Sequence, residues 1–397
     1  MSRLLAPLPQ QPEDQILKLM RLYAEDARPG KIDLGVGVYR NAQGQTPVMR
    51  AVKAAEQQLW EAQQTKGYTG LTGDPGFHQA MTGLVLGDPF DRTRVAAAAS
   101  VGGTGALHTA AELIRAANPQ ARIWLPDPTW PNHAPIVDHV GLARRGYRYF
   151  DAATGAADPS AMLEDLSATG PGDVVLLHGC CHNPTGADLA LPDWQALAEL
   201  LARTGATPLI DLAYLGFGDG IEADAAGTRL LATALPEVLI AASCSKNFGL
   251  YRERAGVLLT VTPDAKARAR VQENLAALNR MNFSFPPDHG ARLVSMILDD
   301  PALRADWQDE LDGMRAGITG LRQQLAAALR DRSGSDRFGF LADNRGMFSR
   351  LGASPEQVEA LRRDHAVYMV GDSRMNIAGL TPQDVPRLAE AILDAGI

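Results

Sequence analysis

Lysine, cysteine and long apolar runs are scarce in this sequence, and each shortage narrows what the protein can be. The 397 residues contain 6 lysines against 32 arginines, so surface positive charge is carried by arginine. No apolar run approaches the length of a membrane-spanning helix, and the N-terminal stretch MSRLLAPLPQQPED has no apolar core of signal-peptide length, so we expect a cytoplasmic protein. A net charge of −8 without a basic cluster argues against nucleic acid and anionic membranes as partners.

The three cysteines, Cys180, Cys181 and Cys244, do not form the paired pattern of a disulfide framework. A metal site is conceivable in the stretch HGCCHNPTG, through the two adjacent cysteines together with His178 and His182. Adjacent residues of an extended chain point to opposite sides, however, and no second Cys/His pair follows. We therefore predict no metal site.

Short apolar segments between about residues 95 and 260 predict the strands of a buried sheet. Amphipathic helical patterns at 105–118 and 191–204 lie between them, which is the alternation of a mostly parallel, doubly wound α/β sheet. Such sheets hold ligands at the carboxyl ends of their strands. The candidate strands are AAAASVGG (96–103), RIWLPD (122–127), DVVLLHGC (173–180), TPLIDLAY (207–214), VLIAASCS (238–245) and AGVLLTV (255–261).

The pattern changes after residue 300. A long helix is predicted over 301–332, and shorter strands and helices around glycine and proline turns follow it. We interpret this region as a second, smaller α/β layer, joined by the N-terminal forty residues. The sequence contains no internal repeat and no low-complexity linker.

One carboxylate and one glycine-rich turn fall at the predicted ligand edge of the sheet. Asp211 lies at the inner end of an apolar strand, where a buried carboxylate needs a positive partner. A salt bridge to one of the many arginines is an equally good explanation. The turn before the helix at 105–118 leaves the backbone N–H groups of Gly103, Thr104 and Gly105 free, which suits an anion. A nicotinamide cofactor is disfavoured, because Arg40 stands where a dinucleotide fingerprint needs its third glycine.

Lys246 follows the strand at 238–245 and so lies at the same edge. An apolar crevice near other cations lowers the pKa of a lysine and supplies the neutral amine that a Schiff base requires. Ser243 and Arg254 are positioned to bind a phosphate. An amine nucleophile, a phosphate cradle and the acidic Asp211 are the three features that pyridoxal phosphate needs.

At these positions the sequence resembles the class I (aspartate and aromatic amino acid) aminotransferases of the pyridoxal-phosphate fold-type I superfamily, over essentially its full length. The resemblance implies an N-terminal arm at 1–45 that contributes to the small domain, a large cofactor domain at 46–313 with a mostly parallel seven-stranded sheet, and a small domain at 314–397. The motifs are GVGVY (35–39), KGYTGLTGDPGF (66–77), VGGTGAL (101–107), DPTWPNH (127–133), HGCCHNPTG (178–186), DLAYLGFGDG (211–220), SCSKNFGLYRERAG (243–256) and SRMNIAGL (373–380).

The resemblance also implies the cofactor contacts. Lys246 would form the Schiff base, Asp211 would pair with the protonated ring nitrogen, and Tyr214 would bind the ring's phenolic oxygen together with Asn183. Trp130 would stack on the ring, although filling the core is the simpler explanation for a tryptophan. The implied phosphate ligands are Gly103, Thr104, Ser243, Arg254 and, from the second subunit of a homodimer, Tyr68.

Substrate recognition is implied in the same way. Arg374 matches the family's clamp for the α-carboxylate, and Arg280 matches a partner-subunit residue for a second carboxylate. Phe285 and Cys244 depart from aspartate-specific relatives, so aromatic substrates are favoured beside dicarboxylic ones, with strict aspartate specificity as the alternative. The other implied substrate contacts are Gly37, Trp130 and Asn183.

These residues predict ping-pong transamination between amino acids and 2-oxo acids, with Lys246 as the general base. Two rivals remain open: a pyridoxal-phosphate lyase, which need not keep both Arg280 and Arg374, and a non-catalytic ligand sensor. A sensor would usually add a basic DNA-binding module, for which the residues ahead of the fold leave no room.

Overall fold

The computed structural model describes residues 4–11 and 13–397, so the first three residues of the predicted N-terminal arm and Pro12 lie outside the described residues. None of the helices described is both long and apolar enough to cross a membrane. The helices are α1 (Gln15–Glu25), α2 (Arg50–Ala62), α3 (Pro75–Leu86), α4 (Gly102–Ala117), α5 (His133–Val140), α6 (Pro159–Leu166), α7 (Leu191–Thr204), α8 (Ile221–Ala234), α9 (Ala265–Asn282), α10 (His289–Asp299), α11 (Pro301–Ser333), α12 (Phe340–Asp343), α13 (Pro355–His365) and α14 (Val385–Asp394). The strands are β1 (Ile32–Asp33), β2 (Val95–Val101), β3 (Arg122–Asp127), β4 (Ala143–Arg148), β5 (Phe150–Asp151), β6 (Ala156–Ala157), β7 (Asp173–His178), β8 (Thr207–Leu212), β9 (Val238–Ser243), β10 (Ala255–Val261), β11 (Phe348–Arg350), β12 (Val367–Tyr368) and β13 (Arg374–Asn376).

A seven-stranded sheet in the order β2-β10-β9-β8-β7-β3-β4 forms the centre of the molecule. Strand β10 runs antiparallel to β2 and β9, and the remaining pairs are parallel. The predicted mostly parallel seven-stranded sheet is therefore confirmed. All six candidate strands are present, and β4 at the sheet edge is the one that the apolar pattern missed. Its sequence ARRGYR buries only Tyr147, so it carries no run of apolar residues.

Helices cover both faces of this sheet, which explains why its inner strands are apolar at consecutive positions. Side chains of β7 alternate between the two faces. Val174 and Leu176 pack in the cluster that includes residues of α4, α5 and α9, whereas Val175 and Leu177 pack in the larger cluster on the opposite face.

Small two-stranded sheets lie outside the central sheet, and one of them joins the N-terminal and C-terminal parts of the chain. Strand β1 pairs with β12 in parallel, and β11 pairs with β13 antiparallel. Helix α11 packs against α2 and α10, and also against α12 and α14. It crosses the predicted domain boundary at 313 without interruption.

Candidate active site

A pocket with an empty volume of about 480 Å³ opens at the carboxyl edge of the central sheet. Strands β8 and β9 end there, and helix α4 begins there. This is the edge at which parallel sheets bind ligands. The residues that line the pocket are Gly103, Thr104, Leu107, Trp130, Asn183, Asp211, Ala213, Tyr214, Ser243, Ser245, Lys246 and Arg254.

Lys246 stands in the turn after β9 and extends into this pocket. Its ammonium nitrogen lies 4.8 Å from the centre of the Tyr214 ring. Burial lowers the pKa of Lys246 to about 8; the carboxylate of Asp211 opposes this shift, and the guanidinium of Arg254 adds to it. A substantial fraction of neutral amine is therefore present near neutral pH, as the sequence predicted.

The lowered pKa of Lys246 predicts how Schiff-base formation depends on pH. Because the amine reacts only when deprotonated, capture of pyridoxal phosphate by the apoprotein should accelerate as pH rises and reach half its maximal rate near pH 8. Stopped-flow measurement of the visible absorbance from pH 6 to 10 tests this. A midpoint near 10.4, the value of a free lysine, would contradict it.

Asp211 is buried near the end of β8, and its hydrogen-bond partner is a histidine rather than an arginine. Nε2 of His133 lies 3.0 Å from Oδ2 of Asp211. Thr129 bridges the ring of His133, at 2.7 Å from Nδ1, to the ring of His178, at 3.2 Å from Nε2. His178 is also the register partner of Asp211 across β7 and β8. The carboxylate is thus held by a chain of side chains behind the pocket.

These neighbours keep Asp211 ionised. Burial by itself would raise the pKa of this carboxyl, but the hydrogen bond with His133 and the proximity of His133, His178 and Lys246 together outweigh burial, so the pKa lies below its usual value. Burial, with the nearby His133, lowers the pKa of His178 to about 3, so the ring of His178 is neutral. The carboxylate of Asp211 therefore presents a negative charge to the pocket near neutral pH.

The start of α4 forms the predicted anion cradle. The N–H of Gly102 donates to Arg254 O at 2.8 Å, and no side chain caps the N–H groups that follow it in the described part of the chain, which suits an anion. Gly102 has φ +66°, and a Cβ on it would lie 2.5 Å from Nη2 of Arg254, so only glycine lets the guanidinium approach the helix start. Ser243 closes the cradle, since a Cβ on Gly103 would meet the Cβ of Ser243 at 2.9 Å.

Arg374 lies beside the pocket in β13 and has no carboxylate partner among the described residues. It is 5% exposed, and its guanidinium donates to Gly35 O at 3.1 Å and to Asn183 Oδ1 at 3.5 Å. Nε of Arg374 is buried and has no hydrogen-bond partner in the described chain. A buried, unpaired guanidinium is costly, so the site is prepared for an anion.

Asn183 and Tyr214 connect this guanidinium to the pocket wall. Nδ2 of Asn183 lies 3.5 Å from the hydroxyl of Tyr214. Burial and then the charge of Asp211 raise the pKa of Tyr214, so its phenol stays protonated and can donate a hydrogen bond to a ligand. Phe348 packs against both Arg374 and Tyr214. Its ring lies 4.6 Å from the guanidinium carbon of Arg374 and 6.0 Å, edge-on, from the ring of Tyr214.

Several of these contacts were missed by sequence reasoning. His133 stands inside the motif DPTWPNH, and the requirement for a cation beside Asp211 was recognised, but its identity was not. Thr129 and His178 lie within two of the motifs, but only the folding of the chain brings them, and Phe348 of β11, to the site.

Besides Arg374, which lies beside the pocket, three predicted site residues do not line it. Gly37 lies in the segment after β1, where a Cβ would approach the ring of Phe348 to 3.0 Å. Tyr68 is 86% exposed and stacks on Phe285 at 4.6 Å. Arg280 is exposed and donates to Ser284 Oγ at 2.6 Å. Tyr68 and Arg280 therefore lie on the surface of the chain, outside the pocket.

The pocket fits pyridoxal phosphate in three respects. A partly buried amine of lowered pKa stands at Lys246, and an ionised buried carboxylate stands at Asp211. An uncapped helix start next to Arg254 suits the phosphate. Trp130 lines the same pocket, where its indole could cover an aromatic ring.

Comparison with known proteins agrees with this geometry. The aromatic-amino-acid aminotransferase of Paracoccus denitrificans is 58% identical over 394 residues, which cover 99% of this chain and 100% of that protein. The aspartate aminotransferase of Escherichia coli (strain K12) is 43% identical over 385 residues, covering 96% of this chain and 97% of that protein.

A solved structure also matches this chain over almost its whole length. The aromatic-amino-acid aminotransferase of Burkholderia pseudomallei, covalently bound to pyridoxal phosphate, superposes with a TM-score of 0.97 at 38% identity, covering 99% of this chain and 100% of that one. The family profile described as "Aminotransferase class I and II" matches residues 29–392. The pocket, the fold and these matches together show that the chain belongs to the class I and II aminotransferase family.

Proposed function

We propose that this protein is a pyridoxal-phosphate-dependent aminotransferase that transfers the α-amino group of phenylalanine, tyrosine, tryptophan, aspartate and glutamate to 2-oxo acids such as 2-oxoglutarate. The observation that carries the proposal is the buried guanidinium of Arg374, which lacks a carboxylate partner in the described chain and adjoins the pocket that contains Lys246 and Asp211. An amino acid supplies the missing α-carboxylate.

The roles of the site residues follow from their places. Arg374 binds the substrate carboxylate through two parallel hydrogen bonds and orients the Cα–H bond toward Lys246. The neutral amine of Lys246 accepts the Cα proton and later returns a proton as a general acid. Asp211, hydrogen-bonded to His133, would pair with the protonated ring nitrogen of pyridoxal phosphate. When bound, pyridoxal phosphate supplies the electron sink that stabilises the charge left on Cα.

The choice of aromatic together with dicarboxylic substrates is supported by the surface around Arg280. Its guanidinium carbon lies 6.0 Å from the ring of Phe285, which in turn stacks on Tyr68. An exposed arginine is free to bind a distal carboxylate or to move aside for an aromatic ring, because moving it back into water costs little. Relatives named for aromatic amino acids and for aspartate both occur among the similar proteins.

Removing the Arg280 charge should separate the two substrate classes. Arg280→Leu should weaken kcat/KM for aspartate by roughly 2 to 5 kcal/mol if the charge pair is desolvated, and should affect phenylalanine much less. Steady-state kinetics with both substrates measures the difference. Arg270→Leu, on an exposed position of the same helix α9, is the matched control and should change neither value. Equal losses for both substrates in Arg280→Leu would remove Arg280 from the distal pocket.

The site residues Tyr68 and Arg280 act on the partner's pocket in this proposal, so the functional unit is a homodimer. Large apolar side chains at Trp60, Tyr68 and Met281 are 80%, 86% and 73% exposed in one chain, which supports a covering subunit. Sedimentation velocity of the purified protein should show a dimer. A catalytically competent monomer would contradict the shared site.

The reaction itself is tested by comparing aspartate, glutamate, phenylalanine, tyrosine and tryptophan in steady state, with 2-oxoglutarate as acceptor. Loss of the amine that depends on the 2-oxo acid supports transamination. Turnover of aspartate and glutamate alone would favour an aspartate-specific enzyme. Release of ammonia or pyruvate without an acceptor would favour a lyase.

The division of the chain into an arm at 1–45, a cofactor domain at 46–313 and a small domain at 314–397 is also part of the proposal. Pairing of β1 with β12 supports the inclusion of N-terminal residues in the small domain. The edge-on contact between Tyr23 and Tyr368, at 5.3 Å, supports the same grouping. We place the protein in the cytoplasm, as the sequence predicted.

A further inference from the structure

Two adjacent cysteines lie just beyond β7, on the side of the motif HGCCHNPTG that the aminotransferase site does not use. The prediction that their side chains point to opposite sides is wrong. Cys181 has φ +52°, which turns the backbone out of the extended conformation. As a result Sγ of Cys180, Sγ of Cys181 and a carboxylate oxygen of Asp224 all lie within 4.8 Å of one another.

The dimensions of this cluster suit a small tetrahedral cation. Zn–S bonds of about 2.3 Å place two sulfur ligands of a tetrahedral site about 3.8 Å apart, and the two sulfurs here lie within 4.8 Å of each other. His178 and His182, which the sequence suggested as further ligands, are not part of the cluster. The two rings instead pack against each other at 4.3 Å, and His182 stacks on Tyr149 at 4.1 Å.

The carboxylate of the cluster is held in place by the backbone. Asp224, in the first turn of α8, accepts hydrogen bonds from the N–H groups of Gly216, Gly218 and Asp219 at 2.8 to 2.9 Å. Carboxylates that bind metals are typically oriented by such hydrogen bonds. Three of about four lone-pair directions are then used, which leaves one for a ligand.

The cluster can be reached from solvent. A second pocket, with an empty volume of about 530 Å³, is lined by Cys180, Asp224 and Asp188, and it shares no lining residue with the pocket of Lys246. The carboxylate of Asp188 accepts from the backbone N–H groups of Cys181 and His182, which fixes the turn that brings the thiols together. A metal site needs such an entry path.

We propose that Cys180, Cys181 and Asp224 form a binding site for one soft divalent cation of the Zn²⁺ or Cd²⁺ type, with water as the fourth ligand. Each thiol releases its proton to solvent as its sulfur–metal bond forms, so two protons leave for each ion bound. Thiolates favour this class of ion over Mg²⁺ or Ca²⁺. The site is separate from the pocket that binds the cofactor.

Titration of the chelator-treated holoenzyme with Cd²⁺ tests the proposal. We expect one thiolate-to-cadmium ultraviolet charge-transfer band that saturates at one ion per chain. Cys180→Ser and Cys181→Ser should each lose at least half of this band. Cys244→Ser is the matched control, because Cys244 is equally buried but packs against Sδ of Met81 at 3.8 Å, and it should retain the whole band.

Other results would overturn the site. The absence of a sulfur band in the wild type would do so, as would a full band in Cys180→Ser or in Cys181→Ser. Loss of the band in Cys244→Ser would also contradict the proposal. Circular dichroism and the visible absorbance of the cofactor identify variants that fail to fold. For those, phenylarsine oxide, which bridges two close thiols, replaces mutation: it should abolish the Cd²⁺ band of the wild type, and a band that persists after its binding would refute the proposal.

Discussion

Replacing Lys246 by alanine should lower turnover by at least about 10⁴-fold, because the change removes both the Schiff-base nucleophile and the general base. Lys246 is the sole lysine among the residues that line the pocket in the described chain. The visible absorption of the bound cofactor should disappear together with activity. Single-turnover measurement with phenylalanine, followed at the cofactor's absorption, gives both quantities in one experiment.

Lys266→Ala is the control for this variant. Lys266 is exposed in the first turn of α9, so its removal should leave turnover and absorbance unchanged. The Lys246→Ala protein should fold, because alanine keeps the backbone and Cβ after β9 and removes only the part of the side chain that extends into the pocket. Turnover above about one hundredth of the wild-type value would mean that another group takes the Cα proton.

The sheet was predictable because its inner strands are covered on both faces and so carry consecutive apolar residues. Strand β4 escaped prediction for the opposite reason: it lies at an edge and exposes three arginines. Helix α4 begins at Gly102, three residues before the predicted stretch, because glycine residues in its first turn conceal the helical pattern.

Some of the site residues could likewise be predicted from the sequence, and others could not. Lys246 and Asp211 were predictable from their places after apolar strands, since strand ends fix where a side chain meets the ligand edge. The partner of Asp211 was not, because His133 is 78 residues away in the sequence and only the folded chain brings the two together. The direction of the Cys181 side chain was not predictable either, because a single residue in the left-handed region of φ/ψ space reverses the direction that a side chain would take on an extended chain.

Asp211→Asn should reduce kcat by about 10² to 10³-fold while preserving the shape of the side chain. The amide oxygen can still accept from His133, so the hydrogen bond at 3.0 Å is retained and only the negative charge is lost. Without that charge the ring nitrogen of the cofactor loses its partner. The pKa of Lys246 should also fall further below about 8, because the Asp211 carboxylate is what raises it.

Asp173→Asn provides the contrast that separates electrostatic loss from loss of stability. Asp173 is also a buried carboxylate, at the opposite end of the neighbouring strand β7, and pairs with Arg122 at 2.9 Å. Its variant should lower the melting temperature but leave kcat and the pH midpoint of cofactor capture unchanged. If Asp211→Asn also changed only the melting temperature, the carboxylate of Asp211 would contribute to stability and not to catalysis. A lowered kcat together with a lowered pH midpoint requires its charge to act on both the ring nitrogen and the lysine.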